Sequence, residues 1–185
     1  MKTALRLGVA AMAVTGLMTT VPAASAAERP APKATERIQT VDVNGIKVDK
    51  EATAETRRII GADTVAATAT ANVCGSGYTI STGAWRYSTY GTTYTWTNGT
   101  TTGSSYYDKP ICAVFFNDSG YTKYMGVRLS SNYTADAPAQ DFGAYGSYAG
   151  PVYQKRGYCG TVYSYMEDSS GKVLVDNVET VGSCN

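Results

Sequence analysis

Every tyrosine, tryptophan, phenylalanine and cysteine of the chain lies beyond Val73. The side chains able to build a large core, and the only ones able to cross-link it, are therefore confined to residues 73–185, a length suited to one domain. The pattern there is β. Thr92-Thr93-Tyr94-Thr95-Trp96-Thr97 alternates small polar with aromatic residues and puts Tyr94 and Trp96 on one face. Asn98-Gly99 follows, a pair suited to a tight hairpin turn because both residues reach positive φ. Ile111 to Phe116 is an unbroken apolar run, the signature of a strand buried on both faces. Asn117 to Gly120 then turns the chain into Tyr121 to Ser130. Tyr158 to Met166 and Lys172 to Val178 flank Glu167 to Gly171 as a second hairpin. Thr, Val, Tyr and Gly dominate, and helix-forming runs are scarce. The expected fold is all-β: a small, disulfide-linked antiparallel sandwich or barrel of seven or eight strands.

The N-terminus reads as an export signal. Lys2 and Arg6 precede an uncharged, mostly apolar stretch from Leu7 to Val21, and Ala24-Ser25-Ala26 fits the small-x-small pattern of a cleavage site after Ala26. The stretch is shorter than the roughly 20 apolar residues of a membrane span and is interrupted by glycines and threonines. No later stretch is expected to span a membrane. Export makes the four cysteines, Cys74, Cys112, Cys159 and Cys184, a disulfide framework. Zinc is not expected, because the cysteines are far apart and the chain has no histidine. Four cysteines allow three pairings. Cys74 with Cys112 and Cys159 with Cys184 is preferred, since each pair closes a loop within one half of the domain.

Residues 27–72 have a different character. They carry seven basic and seven acidic residues and no aromatic, too little apolar surface to offset ordering entropy on their own. They are expected to be a charged pro-segment or linker, mostly disordered. Within them Asn44-Gly45 marks a small hairpin and Asp49 to Ile60 reads as one helix. Arg57-Arg58 offers a processing site, and Arg58-Ile59-Ile60-Gly61 is similar to the activation cleavage of trypsin-like zymogens. Serine-protease chemistry is nevertheless excluded, because it needs an imidazole.

The charge balance of residues 73–185, seven basic against eight acidic, lacks the basic excess that neutralises phosphates, so no nucleic acid is expected. Without histidine, carboxylate pairs are the remaining catalytic device. Asp136, Asp141, Glu167 and Asp168 are the carboxylates to consider, but Glu167-Asp168 falls in a predicted turn. No catalytic residue, cofactor or metal is assigned. Aromatics are the better candidates for binding: Trp85, Tyr87, Tyr90, Tyr94, Trp96, Tyr145, Tyr148 and Tyr153 exceed what one small core must bury, exposed rings stack on sugars or anchor protein partners, and Trp85, Trp96, Tyr145, Tyr148 and Tyr153 are the ones expected to bind. Gly143 to Gly150 reads as a recognition loop or a bulged strand.

The most distinctive run is Asp141-Phe142-Gly143-Ala144-Tyr145-Gly146-Ser147-Tyr148-Ala149-Gly150-Pro151-Val152. With Cys74-Gly75-Ser76-Gly77-Tyr78 upstream, Cys112 in an apolar strand and Cys159 downstream, it resembles the spore-associated protein A family of streptomycetes. Those are small exported proteins recovered with spores, without an established activity. The likeness covers most of residues 73–185. The chain departs from it in its long charged segment and in the position of its last cysteine, within Gly182-Ser183-Cys184-Asn185. The resemblance implies a secreted protein retained on a cell or spore surface; the lack of histidine adds the expectation that it is non-catalytic, and the aromatics add polysaccharide of the cell wall or spore surface as the expected partner. The alternative is a secreted protease inhibitor or a partner processed by a protease.

Overall fold

The computed structural model describes residues 36–182 and Cys184; the expected signal peptide falls outside the described residues. Ordered elements begin well before Val73. Strands β1 (Thr40–Val43) and β2 (Ile46–Asp49) form an antiparallel hairpin. Its turn residues Asn44 and Gly45 have φ of 53° and 88°, as a two-residue turn of this hand requires. Helix α1 (Ala54–Ala62) starts where the Thr53 side chain accepts from the Thr56 N–H, and α2 (Thr64–Cys74) where Asp63 accepts from the Ala66 N–H. The expected helix thus exists, but its start moves from Asp49 to Ala54 because β2 runs to Asp49.

The mostly disordered segment expected over 27–72 is therefore corrected for residues 36–72. Its apolar residues are too few to form a core alone. They fold against the later chain: Ile46, Val48, Ile59, Ile60 and Ala67 share one buried cluster with Tyr94, Trp96 and Val114. The Ala-Thr repeat of α2, weak as a pattern, gives a slim helix surface that lies on the sheet with Ala67, Thr70 and Cys74 buried.

Eight further strands complete two sheets. The first has the order β1-β2-β3-β4-β5-β8, with β3 (Ile80–Tyr87), β4 (Gly91–Thr97), β5 (Ile111–Asn117) and β8 (Tyr148–Gln154). The second has the order β10-β9-β6-β7, with β6 (Lys123–Ser130), β7 (Ala139–Tyr145), β9 (Thr161–Glu167) and β10 (Val173–Thr180). All pairs are antiparallel except β2 with β3. The sheets stack as an open sandwich, with no closed barrel. Both helices pack on the first sheet, which makes three layers: helices, first sheet, second sheet. Strand β5 is the middle of the stack. Ile111, Ala113 and Phe115 join the core between the sheets, while Cys112 and Val114 join the helix-side core. That is why its run is apolar without alternation.

Asn98-Gly99 does not close a tight hairpin. Thr97 pairs with Ile111, so the pair opens the long connection 98–110. Asn98 Oδ1 accepts from the Thr100 N–H and Gly99 takes a φ of 73°, but the residues after them lack a strand pattern, and the chain loops out until the apolar run at Ile111.

Both cross-links follow the preferred pairing. Cys74–Cys112 ties the end of α2 to the centre of the first sheet, and Cys159–Cys184 ties the approach to β9 to the C-terminus. Their environments differ: Cys74 and Cys112 are buried, whereas Cys184 is exposed. Limiting reductant under native conditions is therefore expected to open Cys159–Cys184 first, because a thiolate must reach a sulfur to exchange with it. Alkylation and peptide mapping over time check this; simultaneous loss of both bonds, or Cys74–Cys112 first, contradicts it.

Candidate functional site

The second sheet has one covered face and one bare face, and strand alternation sorts its residues between them. On β6, Met125, Val127 and Leu129 point into the core; on β9, Val162, Ser164 and Met166 do. Their neighbours Tyr124, Gly126, Arg128, Tyr163, Tyr165 and Glu167 take the outer face. The register then builds rows across the strands. Gly126 lies between Phe142 and Tyr165, and Arg128 between Gln140 and Tyr163.

Four aromatic rings assemble there. Phe142 and Tyr163 have ring centroids 6.3 Å apart and planes inclined by 31°. Tyr163 and Tyr165 are likewise 6.3 Å apart at 30°. Tyr124 meets Tyr165 edge-on at 6.5 Å. The Arg128 guanidinium sits 4.8 Å from the Tyr163 centroid. Gly126 is the seat of this arrangement: a Cβ on it would stand 2.1 Å from the Phe142 ring. Tyr124 is 46% exposed and Val178, beside Tyr163 on β10, 62%. No described element covers this face, because both helices lie on the other sheet.

Carboxylates fringe the rings. The Tyr165 hydroxyl donates to Glu167 at 2.7 Å, which holds the phenol up at about 12. Burial first, and then a hydrogen bond to Asp176, raise the pKa of Tyr163. The phenols therefore stay neutral donors at physiological pH, each pointing to a carboxylate. The face is apolar in the middle, polar at the rim and close to neutral in charge.

The five aromatics expected to bind are not on this face. Trp96 is 2% exposed and belongs to the helix-side core. Trp85 is half-buried, lies over Gly83 and packs on the core between the sheets. Tyr145 is half-buried and donates to Asp141 at 2.5 Å. Tyr148 packs on Phe116 at 5.4 Å. Tyr153 is exposed, but its hydroxyl donates to the Cys74 carbonyl and its ring leans on Tyr78. The Gly143 to Gly150 run is strand, tight turn and strand, the end of β7 and the start of β8. Asp141 holds it by accepting from the Gly150 N–H at 2.7 Å. Tyr124, Phe142, Tyr163 and Tyr165 carried a signal in the sequence, the alternation of Tyr163-Ser164-Tyr165 and Tyr124-Met125-Gly126, but alternation does not say which face is left bare.

The carboxylates considered for catalysis are each engaged by the chain's own donors. Asp136 pairs with Arg156 at 2.6 Å, Asp141 is bound as above, Glu167 accepts from Tyr165, and Asp168 accepts from the Ser170 and Lys172 amides. Among the described residues no group of three or more His, Cys, Asp or Glu side chains is placed to hold a metal.

One ionisable cluster is buried. Asp49 of β2 accepts a hydrogen bond from Tyr158, and Lys109 donates to the Tyr106 carbonyl with its ammonium 3.4 Å from the Tyr106 ring centroid. Asp49 is 2% exposed and Lys109 fully buried. Burial pulls the lysine down to about 8 against the attraction of Asp49, and burial raises Asp49 against the hydrogen bond from Tyr158. Sealed from solvent, this cluster joins the N-terminal hairpin to the loop before β5.

No family model, curated protein or solved structure matches the chain.

Proposed function

We propose that the chain is an exported, surface-associated, non-catalytic protein that holds cell-wall polysaccharide on the bare aromatic face of its second sheet. The observation that carries this reading is the set of four rings, Tyr124, Phe142, Tyr163 and Tyr165, on a face that no described element covers. A sugar ring presents C–H groups on its flat sides and hydroxyls at its edge. The former suit the electron-rich faces of aromatic rings, and the latter suit a rim of carboxylates, phenols and a guanidinium. A flat, shallow face suits a long polymer, which gains by engaging repeated units at once. Two disulfides are consistent with an extracellular location, and among the described residues no helix is long and apolar enough to cross a membrane. The resemblance to the spore-associated family points to the same surroundings.

Sedimentation with insoluble cell-wall polysaccharide, cellulose and chitin tests this. Tyr163→Ala and Tyr165→Ala are each expected to weaken retention about tenfold, as loss of a central aromatic does in other interfaces. Gly126→Ala is expected to do the same with no ring removed, because the new methyl displaces Phe142 from its seat. Tyr121→Ala, an exposed tyrosine in the turn before β6, is expected to leave retention unchanged. Equal retention of all four variants, or retention of none of the polymers by the unaltered chain, removes the reading.

A further inference from the structure

The outer face of the second sheet carries charges as well as rings, and the register sorts them along β6. Glu167 lies in the row of Tyr124, Asp176 in the row of Gly126, and Arg128 in the next row, between Gln140 and Tyr163. The row beyond brings together Ser130, Thr161 and Thr180, three hydroxyls and no carboxylate. Both acids are engaged: Glu167 accepts from the Tyr165 hydroxyl, and Asp176 faces the Tyr163 hydroxyl. Arg128 differs from them. Its guanidinium lies over the Tyr163 ring, 4.8 Å from the centroid, and among the described residues no carboxylate stands within ion-pair distance of it. A guanidinium held over a ring keeps its N–H donors, which lie in its own plane, for another acceptor. Gln140, exposed beside it, adds an amide. One end of the aromatic face is therefore a set of donors around a single cation that the chain itself does not neutralise.

This end sets the class of polymer, given the reading of the face as a polysaccharide site, on which the step rests. A planar fork of N–H donors matches a carboxylate or a phosphate, two donors to two oxygens. The rings decide between them. Arg128 and Tyr163 are neighbours in one row, so the anion has to belong to a unit that also lays a flat face on a ring. A sugar acid carries its carboxylate on the ring that stacks, whereas a polyol phosphate has no flat face to offer. The acids at the other end set the spacing. A polymer charged on every unit would bring carboxylates over Glu167 and Asp176, and like charges brought together oppose binding. We propose that the aromatic face selects a polysaccharide in which a minority of the units are sugar acids, with Arg128 holding one carboxylate while the rings hold neutral units. Arg128 is then the residue that determines specificity, and the four rings supply the grip common to acidic and neutral chains.

The test is sedimentation of the full-length mature chain with cellulose, and with cellulose whose primary hydroxyls have been oxidised to carboxylates on a minority of units. At low salt the oxidised polymer is expected to retain the chain about tenfold more tightly, the worth of one charge-assisted pair, and added salt is expected to shrink the difference. Arg128→Gln is expected to erase the difference. Arg128→Lys is expected to leave part of it, because lysine keeps the charge without the fork. Tyr163→Ala is expected to lower retention on both polymers. Among soluble competitors, short chains of the sparsely oxidised polymer are expected to displace the protein best, the fully oxidised polymer less well, and polyglycerol phosphate not at all. Equal retention of the unaltered chain on the two celluloses overturns the proposal and leaves the polysaccharide reading in place. So does a difference that survives in Arg128→Gln, displacement by polyglycerol phosphate, or stronger displacement by the fully oxidised polymer. Retention on neither cellulose also overturns the proposal, and retention on none of the polysaccharides named above removes the underlying reading with it.

Discussion

A chain that begins at Val73 is expected to lose its cooperative fold. The truncation removes Ile46, Val48, Ile59 and Ile60, each at most 9% exposed. Burying such a side chain is worth about 1.5–3 kcal/mol, so the four together represent roughly 6–12 kcal/mol. That is comparable with the whole net stability of a domain, about 5–15 kcal/mol. The loss is compounded on the other side of the interface, where Tyr94, Trp96 and Val114 are laid open to water. Strand β3 also loses its parallel neighbour β2, and Tyr158 loses the Asp49 carboxylate. The Cys74–Cys112 bond survives but then anchors nothing on the helix side. Thermal melts followed by circular dichroism, with amide dispersion by NMR, check this. The full mature chain is expected to melt in one sharp transition and the Val73 form to show none. A Val73 form that melts sharply within a few degrees of the mature chain sinks the conclusion that residues 36–72 are structural. The same packing bears on Arg57-Arg58. Arg58 is exposed and paired with Glu55, but the next two residues, Ile59 and Ile60, are buried within α1. A protease must therefore unfold the helix before it can cut there.

The parts of the fold legible in the sequence are those specified by short-range chemistry. Asn44-Gly45 announces a hairpin because few other pairs reach positive φ twice in succession. Ile111 to Phe116 announces a doubly buried strand because nothing polar interrupts it. The strands on either side of Glu167 to Gly171 are legible for the same local reasons, and residues 73–185 hold eight strands. What was not legible depends on partners distant in sequence. The 36–72 segment has half a core, and its other half is Tyr94, Trp96 and Val114; neither half is recognisable alone. Asn98-Gly99 carries the same local signal as Asn44-Gly45, yet only the latter is followed at once by a strand that can return. The candidate site fails for one reason throughout. Alternation places Tyr94 with Trp96 and Tyr163 with Tyr165, but it cannot say which pair the helices cover. The helices that bury Trp96 arise from the segment that looked least able to fold, and by lying on the first sheet they leave the second sheet bare.

Lys109 gives stability a pH dependence on the alkaline side of neutrality. The chain has no histidine and no free cysteine. The tyrosines whose values move are shifted upward, Tyr94 to about 12 by burial. Lys109 is pulled down from its ordinary 10.5 to about 8, so between those values the unfolded chain binds more protons than the folded one. Stability must then rise with pH. Taken alone, Lys109 contributes a gain of about 2 kcal/mol from pH ~8 to ~10, or roughly 4–8 °C in Tm for a chain of this size. The tyrosines with raised values oppose this increasingly as pH nears ~10, because they ionise in the unfolded chain while their folded counterparts remain neutral. Asp49 acts oppositely at the acid end. Its raised value means that stability falls as pH climbs from about 4 through its folded value. Lys109→Met keeps the length of the buried stem and removes the charge. It is expected to abolish the alkaline rise and to leave the domain at least as stable at neutral pH, since an apolar side chain of similar volume often replaces a buried charge without loss. Asp49→Ala is expected to cost about 3 kcal/mol or more, because two hydrogen bonds to a charged acceptor are lost at once, from Tyr158 and from the Glu51 N–H. Denaturant melts of the three proteins at several pH values between 7 and 10 separate these effects. Stability profiles of the unaltered chain and Lys109→Met that do not diverge between pH 8 and 10 show that the lysine is not held in the buried aromatic site that the structure assigns to it.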